Sequence, residues 1–520
     1  MFWSMRKAAQ LNLRLLQAVS GVAAAAIVLV VTRQWLAGIS NDSVGYIAAA
    51  RGVIGGVGLV THLGDPLVSQ PPLYPLLLAI IGWAFGSAPL LLAHFVNAVL
   101  CGCVVWLSAI LFLKHLGSAR ALAILGVAFL PVAGPLFRVS IMAWSEPLFL
   151  LLTLVFLTQI GSYVREGGTT ALLLASIAAA LACLTRYIGV AVILSGIVSI
   201  LMLRRDDKKL RVRSLLTFVL ISVLPLAGWL ARNHAVSGTL FGPRVPSGRS
   251  LVQNLGAAST IVAGWYAHGR ATWLLMALLV LVGVVGVLAH LAERRRAAAG
   301  SGRRGLVLPG PILTFAVVYA VVLLASATTT AYDELDTRLL TPVFVPATLG
   351  LLMLFRGALE FVSGRPGAKV SRGVLTAVLV ILLLALPSQM MLHATRYARG
   401  QGWGYGAASW RGSPTVRHIV RNRSEMLGRP TYSNAPKALY LLANIGARLS
   451  PGGEETRSRV GGRDPARLRG AWPPEGRAYL VWFDAVDRDY LFPVDVLGGV
   501  ADVAPVARLS DGTIYVVARR

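Results

Sequence analysis

The sequence predicts an all-α polytopic membrane bundle, and two properties of its 520 residues support this prediction. Hydrophobic residues make up 56% of the chain and charged residues only 14%, and the mean hydropathy is +0.68. The apolar residues also fall in blocks of roughly twenty, which is the helix length needed to cross about 30 Å of hydrocarbon. A transmembrane β-barrel would instead show short segments of alternating apolar and polar residues.

The apolar blocks predict about eleven membrane-spanning helices. We place these helices at 15–36, 88–113, 120–137, 146–163, 170–185, 187–203, 214–231, 272–291, 306–326, 341–356 and 374–392. The first block is longer than the core of a signal peptide and lacks a convincing small-residue cleavage site. We therefore interpret it as a helix that is retained in the protein.

The distribution of basic residues predicts the orientation of the chain in the membrane. A net charge of +27 would suggest a nucleic-acid partner in a soluble protein, but the cytoplasmic loops of membrane proteins also collect Lys and Arg. Most of the loop cations fall on one side, which includes Arg6, Lys7 and the segment 204–213. We therefore expect a multi-pass protein of the plasma membrane, with its N-terminus in the cytoplasm and no nucleic-acid partner. An odd number of spans then places the C-terminus outside.

The composition divides the chain into a transmembrane domain, 1–392, and a soluble extracytoplasmic domain, 393–520. In the second part the apolar density falls, Gly, Pro and Arg become more frequent, and β-like runs occur at 477–484 and 512–520. Short apolar runs bounded by turn residues are typical of strands. We therefore expect a small C-terminal α/β domain outside the membrane.

The first external loop, 37–87, is predicted to contain interfacial helices. A helix-like stretch follows Asp42, and the apolar stretch Leu73–Phe85 is too short to span the bilayer. Pro71 and Pro72 precede this second stretch, and proline either starts a helix or simply marks a turn. In the first case the loop forms a shelf that holds Asp42 over the outer mouth of the bundle.

Asp42 is the candidate catalytic residue. It lies in the sequence SNDS, where Ser40 or Asn41 can cap a helix that starts near residue 42. The helix dipole favours an ionised acid in the first turn, and an ionised carboxylate is what a general base needs to accept a proton from a hydroxyl. The alternative is a solvated capping residue that takes part in no chemistry.

The motifs around Asp42 resemble those of the C-type membrane glycosyltransferases. They are Asp42 followed by Tyr46, then RGVIGGVG, QPPLYPLLLAIIGWAFG and LLLAHFVNAVL. Over roughly residues 10–360 the chain is similar to the protein O-mannosyltransferases and the lipid A aminoarabinose transferases. Those enzymes take a sugar from a polyprenyl-phosphate carrier at the outer face of the membrane. The resemblance implies that Asp42 is the catalytic base.

A sugar that leaves a lipid phosphate requires cations to stabilise the departing negative charge. Four arginines at the predicted outer ends of spans are candidates for binding the donor phosphate: Arg138, Arg186, Arg232 and Arg338. The resemblance favours Arg186, in CLTRYIG, and Arg338, in TRLLTP. For each arginine, the alternative is that the side chain reaches lipid headgroups or pairs with a nearby acid.

Five further residues are assigned to substrate binding: Glu146, Tyr46, His62, Asp65 and Tyr74. Glu146 begins a predicted span within SEP, where an acid is either a capping residue or, because ionisable residues at membrane depth are usually functional, a ligand for hydroxyl groups. Tyr46 and Tyr74 belong to the motifs quoted above. His62 and Asp65, in THLGDP, are too few to form a metal site alone. No cofactor is predicted with certainty, and a divalent metal is left open.

The sequence thus predicts an inverting glycosyltransferase that moves a sugar from a polyprenyl-phosphate donor to a cell-envelope glycan, lipid or protein. Its partners would also include membrane lipids, and its active site would face the extracytoplasmic side. Two other classes remain open. A lipid or glycan transporter or flippase would place ionisable residues deep within several spans. A non-catalytic glycan-binding membrane protein could share the same fold.

Overall fold

The computed structural model of the protein describes residues 2–117, 119–204, 207–244, 246–266, 310–330, 335–363, 368–452 and 464–520. This part of the chain is mostly helical, with one small sheet near the C-terminal end. The helices up to residue 401 run over Phe2–Thr32, Asn41–Ile54, Leu73–Phe85, Pro89–His115, Arg120–Phe129, Gly134–Ser140, Glu146–Glu166, Thr169–Thr185, Val190–Leu203, Lys208–Ser237, Leu251–Gly264, Gly310–Thr329, Thr337–Leu340, Phe344–Ser363, Ala368–Val380 and Leu386–Gln401.

Eight helical segments within the described ranges are long and apolar enough to cross a membrane. They are Asn12–Thr32, Pro89–His115, Arg120–Ser140, Glu146–Glu166, Lys208–Ser237, Gly310–Thr329, Thr337–Glu360 and Arg372–Gln401. Two more predicted spans coincide with the shorter apolar helices Thr169–Thr185 and Tyr187–Leu203, and the predicted span 272–291 lies outside the described residues. The polytopic helical bundle is confirmed, whereas the count of eleven stays a prediction.

The helix Glu146–Glu166 lies inside the bundle. It packs against the helices Pro89–His115, Thr169–Thr185, Val190–Leu203 and Gly310–Thr329. Its aromatic side chains Phe149 and Phe156 are fully buried among these neighbours. The first residue of this helix is therefore placed at one end of the bundle, with other helices around it.

The first loop contains two helices, Asn41–Ile54 and Leu73–Phe85. The second helix has 13 residues, which corresponds to about 20 Å at 1.5 Å per residue, less than the thickness of the hydrocarbon core. The two helices pack together, and the rings of Tyr46 and Tyr74 meet edge to face with 5.1 Å between their centres. The position of these helices at the membrane surface stays a prediction.

The C-terminal region forms a mixed α/β structure, as expected. Its strands β1 Thr431–Ser433, β2 Arg448–Leu449, β3 Arg477–Phe483, β4 Ala501–Leu509 and β5 Gly512–Arg519 form one sheet in the order β2-β1-β3-β5-β4. Strand β1 is parallel to β2 and β3, and the other neighbours are antiparallel. The helices of this region are Ala408–Arg411, Pro414–Arg421, Arg423–Met426, Pro436–Ala443 and Val494–Gly498.

The C-terminal region is joined to the first loop by backbone hydrogen bonds. The N–H of Ile39 donates to the carbonyl of Trp403 at 3.2 Å, and the N–H of Tyr405 donates to the carbonyl of Ile39 at 2.9 Å. Ile39 and Gly404 thus form a parallel β-bridge. The segment directly before Asp42 is therefore held by residues that lie more than 360 positions later in the chain.

Candidate active site

Asp42 occupies the first turn of the helix Asn41–Ile54. Ser40 caps this helix: its hydroxyl accepts from the N–H of Ser43 at 3.4 Å, and the hydroxyl of Ser43 accepts from the N–H of Ser40 at 3.0 Å. The indole N–H of Trp144 donates to the Ser40 hydroxyl at 2.7 Å. This reciprocal cap fixes the start of the helix, and the helix dipole favours a carboxylate at the position of Asp42.

Two arginines meet at the carboxylate of Glu146. Arg186 and Arg338 both donate to its Oε1 atom, and Arg338 also pairs with Asp42, Nη1 to Oδ2, at 2.6 Å. The Glu146 side chain is only 1% exposed, whereas that of Asp42 is 41% exposed. The guanidinium of Arg338 lies 4.4 Å from the centre of the Trp144 ring. Because a buried charge needs a partner, these ion pairs explain how Glu146 is accommodated.

A cavity of about 540 Å³ opens beside this charge network. Its polar wall includes Asp42, Tyr46, Gln70, Arg186, Arg244, Asp336 and Arg338. Its apolar wall comes from two helices that pack on each other, Val190–Leu203 and Gly310–Thr329, through Val190, Val322, Leu323 and Ala327. The cavity is therefore lined both by charged side chains and by apolar side chains of the helix bundle.

The surroundings of Asp42 keep its carboxylate ionised. Partial removal of the side chain from water disfavours the negative charge, but the attraction of Arg338, followed by that of Lys437 and Arg186, outweighs this effect and holds the pKa of Asp42 below its ordinary value of 3.8. Tyr46 lies one turn further along the same helix, and burial together with the charge of Asp42 raises its pKa to about 12. At neutral pH the site thus presents a carboxylate next to a neutral phenol.

A hydrogen-bond network supports the wall of the cavity from behind. The hydroxyls of Tyr46 and Ser145 are 2.9 Å apart, and Ser145 also accepts from Arg186 at 3.4 Å. The hydroxyl of Tyr74 donates to Oδ1 of Asn97 at 3.0 Å, and the amide of Asn97 donates to two backbone carbonyls of the loop between membrane helices. Tyr74 is fully buried and does not line the cavity.

Two of the predicted phosphate-binding arginines, Arg138 and Arg232, do not line the cavity. Arg138 is exposed on the helix Gly134–Ser140. Arg232 donates to the backbone carbonyl of Leu67, and its guanidinium lies 4.8 Å from the centre of the Trp229 ring. Arg232 therefore stabilises the first loop through its hydrogen bond to Leu67.

His62 and Asp65 do not line the cavity either. The ring of His62 packs edge-on against Tyr440 of the C-terminal region, with 5.9 Å between ring centres. Burial and the nearby charge of Lys437 lower the pKa of His62 to about 4, and Asp65 opposes this shift only in part. His62 is therefore neutral at physiological pH. Its contact with Tyr440 places it where the first loop packs against the C-terminal region.

The cavity also contains residues that the sequence did not assign to it, namely Gln70, Tyr187, Arg244 and Asp336. Gln70 donates to Oδ1 of Asp42 at 3.2 Å and to its backbone carbonyl at 3.3 Å. The hydroxyl of Tyr187 donates to the carbonyl of Val68 at 2.7 Å. Gln70 and Tyr187 both lie within the quoted motifs, but only the fold shows that both stabilise the loop beside Asp42.

The charged residues of the site bear on the open question of a metal. Within the described ranges, no three His, Cys, Asp or Glu side chains are grouped so that they could hold a metal ion. Asp42 and Glu146 each already pair with Arg338. Positive charge at this point comes from arginine, and these contacts do not test the divalent metal that the sequence left open.

Several solved membrane enzymes have a similar fold. ArnT, the lipid A aminoarabinose transferase from Cupriavidus metallidurans, matches in the apo state with a TM-score of 0.57 and 13% identity, over 96% of this chain and 97% of ArnT. Its complex with undecaprenyl phosphate matches with a TM-score of 0.55 and 14% identity. The oligosaccharyltransferase AglB from Archaeoglobus fulgidus, in complex with an inhibitory peptide and a dolichol-phosphate, matches with a TM-score of 0.55 and 9% identity, over 90% of this chain and 69% of AglB.

The mycobacterial arabinofuranosyltransferase AftD matches with a TM-score of 0.55 and 15% identity, over 96% of this chain and 41% of AftD. No family model matches the sequence, and no curated protein matches it either. The similarity therefore defines the fold: this chain has the fold of the C-type membrane glycosyltransferases. Together with the eight candidate spans, it defines a multi-pass membrane protein.

Proposed function

We propose that the protein is a glycosyltransferase that moves a sugar from a polyprenyl-phosphate donor to a hydroxyl group of a cell-envelope acceptor. The main support is the mixed lining of the cavity, which combines arginines and Asp42 with apolar helix surface. A polyprenyl-phosphate sugar has the same two parts, a charged sugar phosphate and a long hydrocarbon chain. Structures of similar fold were obtained with undecaprenyl phosphate and with a dolichol-phosphate, which supports this donor class.

The proposed reaction is a single displacement at the anomeric carbon. The acceptor oxygen bonds to this carbon, the bond from the carbon to the phosphate oxygen breaks, and the hydroxyl proton passes to Asp42. The products are a glycoside of inverted configuration and a polyprenyl phosphate. Asp42 has lone pairs beyond those that Arg338 and Gln70 use. Its low pKa makes it a weak base, but a hydroxyl that is bonding to an electrophilic carbon becomes acidic enough for a carboxylate to accept its proton.

The departing phosphate gains negative charge, which preorganised cations stabilise without reorganisation. Glu146 holds Arg186 and Arg338 at the cavity wall, and Arg244 lines the same cavity. We assign these three arginines to the donor phosphate, and we leave out Arg138 and Arg232, which do not line the cavity. Glu146 then orients the arginines, whereas the sequence had suggested that it binds substrate hydroxyls.

We further propose that this site faces the extracytoplasmic side of the plasma membrane. The support is the excess of Lys and Arg in the loops at the opposite end of the spans, which are expected to stay in the cytoplasm. Nucleotide sugars are not expected outside the cell, so a lipid-linked donor suits this side. The acceptor would be a glycan, a lipid or a protein of the envelope.

The proposal is tested with purified protein in lipid nanodiscs. The protein is incubated with decaprenyl- and undecaprenyl-phosphate sugars and with fragments of envelope glycans, and mass spectrometry detects released polyprenyl phosphate and glycosylated acceptor. We expect release of the carrier that depends on the acceptor. A parallel reaction with EDTA, followed by Mg²⁺, tests the divalent metal. Donor binding without release would contradict the proposal and favour the non-catalytic alternative, whereas movement of intact donor between vesicle leaflets would favour a flippase.

A further inference from the structure

We propose that the C-terminal domain, residues 393–520, takes part in building the catalytic centre. Its residue Lys437 positions Asp42 by binding the start of the helix that carries it. The kinetic consequences rest on the proposed glycosyltransferase function, whereas the contacts that suggest them do not depend on any reaction. The domain that follows the membrane helices thereby helps to hold the proposed base in place.

The C-terminal domain contacts the start of the Asp42 helix through two side chains. The ammonium of Lys437 donates to the backbone carbonyl of Asn41 at 3.0 Å, and the hydroxyl of Tyr405 donates to Oδ1 of Asn41 at 2.9 Å. Asn41 is the first residue of the helix and Asp42 the second. Together with the bridge between Ile39 and Gly404, these contacts tie residues 39–41 to the C-terminal domain.

Lys437 is held on a rigid element. It lies in the first turn of the helix Pro436–Ala443, in which Ala438 and Leu439 are fully buried in the core of the C-terminal domain. Tyr440, three residues later and on the same helix face, contacts His62 and also lies under the guanidinium of Arg51, 5.7 Å from its ring centre. One face of this helix therefore rests on the first loop, and its packing brings Lys437 within hydrogen-bonding reach of Asn41.

Lys437 also contributes charge at Asp42. The charged groups that act on the carboxylate are Arg338, which pairs with it directly, and Lys437 and Arg186 at longer range. Tyr46 from the same helix is neutral, and so is His62, which lies near Lys437. Of these groups, Lys437 is the one from the C-terminal domain. Its removal would take away the hydrogen bond to the start of the helix, and it would also raise the pKa of Asp42.

The kinetic test compares Lys437→Met and Lys437→Arg with Arg520→Met, which removes an exposed cation that pairs with Asp502 in the same domain. Transfer is measured against pH with a polyprenyl-phosphate sugar that the wild-type protein uses. We expect kcat/KM of Lys437→Met to fall roughly tenfold or more, since small displacements of a catalytic group are costly. The fall of kcat/KM at acidic pH should begin at a higher pH in Lys437→Met than in the wild type, because Lys437 lowers the pKa of Asp42. Lys437→Arg should restore most of the rate, and Arg520→Met should match the wild type.

A second measurement needs no activity. Hydrogen–deuterium exchange followed by mass spectrometry reports the opening of the backbone around residues 38–44. We expect faster exchange there in Lys437→Met and wild-type exchange in Arg520→Met, with the rest of the membrane domain unchanged.

The outcomes separate the inference from the proposed function. If the wild-type protein transfers sugar while Lys437→Met keeps both the wild-type rate and the wild-type pH profile, the inference is wrong although the function stands. If no donor is turned over by the wild-type protein, the proposed function fails, and exchange alone decides the inference. Unchanged exchange at 38–44 in Lys437→Met overturns it in either case.

Discussion

Glu146 is a buried carboxylate, and its environment determines what it contributes. Moving two opposite charges out of water costs free energy that their mutual attraction only partly returns, so a buried ion pair adds little net stability but is costly to break. Glu146 has two arginine partners on one oxygen, while its Oε2 atom has no hydrogen-bond partner among the described residues. The arrangement is therefore better suited to holding Arg186 and Arg338 in place than to stabilising the fold.

Because a buried ion pair is costly to break, we expect Glu146→Gln to lower the stability of the protein strongly. The substitution preserves shape but leaves two arginines without their shared anion, and losing one partner of a buried pair costs about 3–5 kcal/mol. Glu166→Gln at the other end of the same helix is the matched control, because Glu166 is 73% exposed and its pair with Arg165 spans 3.6 Å. That change should cost less than about 1 kcal/mol. Denaturant unfolding in detergent micelles measures both, and equal losses would contradict the role given to Glu146.

The lowered pKa of Asp42 predicts the pH dependence of transfer. A carboxylate whose pKa is lower in the folded protein than in the unfolded chain stabilises the fold above its ordinary pKa, and this contribution is lost only as the pH falls through the lowered value. The proposed base is therefore ionised throughout the physiological range. We expect kcat/KM to show no loss that is due to Asp42 between pH 7 and about 5. His62→Gln should give the same profile, and a wild-type decline centred in this range that disappears in Asp42→Asn would contradict the assignment.

At the level of the elements, individual hydrogen bonds hold the first loop in place beside the site. The first loop is held by Gln70 at Asp42, by Tyr187 at Val68 and by the bridge at Ile39. Each of these ties consists of one or two hydrogen bonds, so a single substitution can remove one of them. Gly404 offers the sharpest case, because its φ of +60° suits glycine and an added Cβ would overlap the carbonyl oxygen of Ile39.

Gly404→Ala is therefore expected to detach the first loop from the C-terminal domain. Gly428→Ala is the control: Gly428 has a φ of +75°, but nothing lies within 4 Å of the position of its Cβ. Both changes carry a backbone strain of about 1–2 kcal/mol, and only Gly404→Ala also adds a steric clash. Thermal unfolding and hydrogen exchange should show a larger loss for Gly404→Ala, with faster exchange at residues 38–44. The same exchange pattern in both variants would show that the bridge between Ile39 and Gly404 does not hold the first loop in place.

The elements themselves could largely be predicted from the sequence, because hydrophobic periodicity and capping are local signals. The start of the Asp42 helix, the short helix Leu73–Phe85 and strands β3 and β5 lie close to their predicted positions. The ends of helices were harder to predict where a helix continues beyond its apolar residues. The helix Leu386–Gln401 continues past residue 392, where the apolar composition ends, because helical hydrogen bonding does not depend on the hydrophobicity of the side chains.

At the scale of the whole molecule, the ionisable residues of the site gather where the membrane helices meet the first loop and the C-terminal domain. Asp42, Arg186 and Arg338 were identified from motifs that lie far apart in the sequence, and the fold brings them together at one cavity. Arg244 and Lys437 lie outside these motifs, and Gln70 lies within one of them without a role that the motif indicates. Their roles depend on which loops and domains meet, and a single sequence contains no direct signal of that.

The orientation in the membrane is tested by reporter fusions. A reporter that is active only outside the cytoplasm should be active when fused after residue 450, because the C-terminal domain is expected outside. The same reporter placed within the basic loop 204–213 should be inactive, because such loops stay in the cytoplasm. The opposite pattern would place the candidate site on the inner side and would contradict the proposed use of an extracytoplasmic donor.

The central claim is that the Asp42 carboxylate removes the proton of the acceptor, and Asp42→Asn tests it most directly. Asparagine preserves the shape of the side chain, and Arg338 keeps its pair with Glu146, so the fold and the donor site should survive. We expect the variant to bind the polyprenyl-phosphate donor with wild-type affinity and to transfer sugar about 10²–10⁴-fold more slowly. Transfer at the wild-type rate by a folded, donor-binding Asp42→Asn protein would show that Asp42 is not the base.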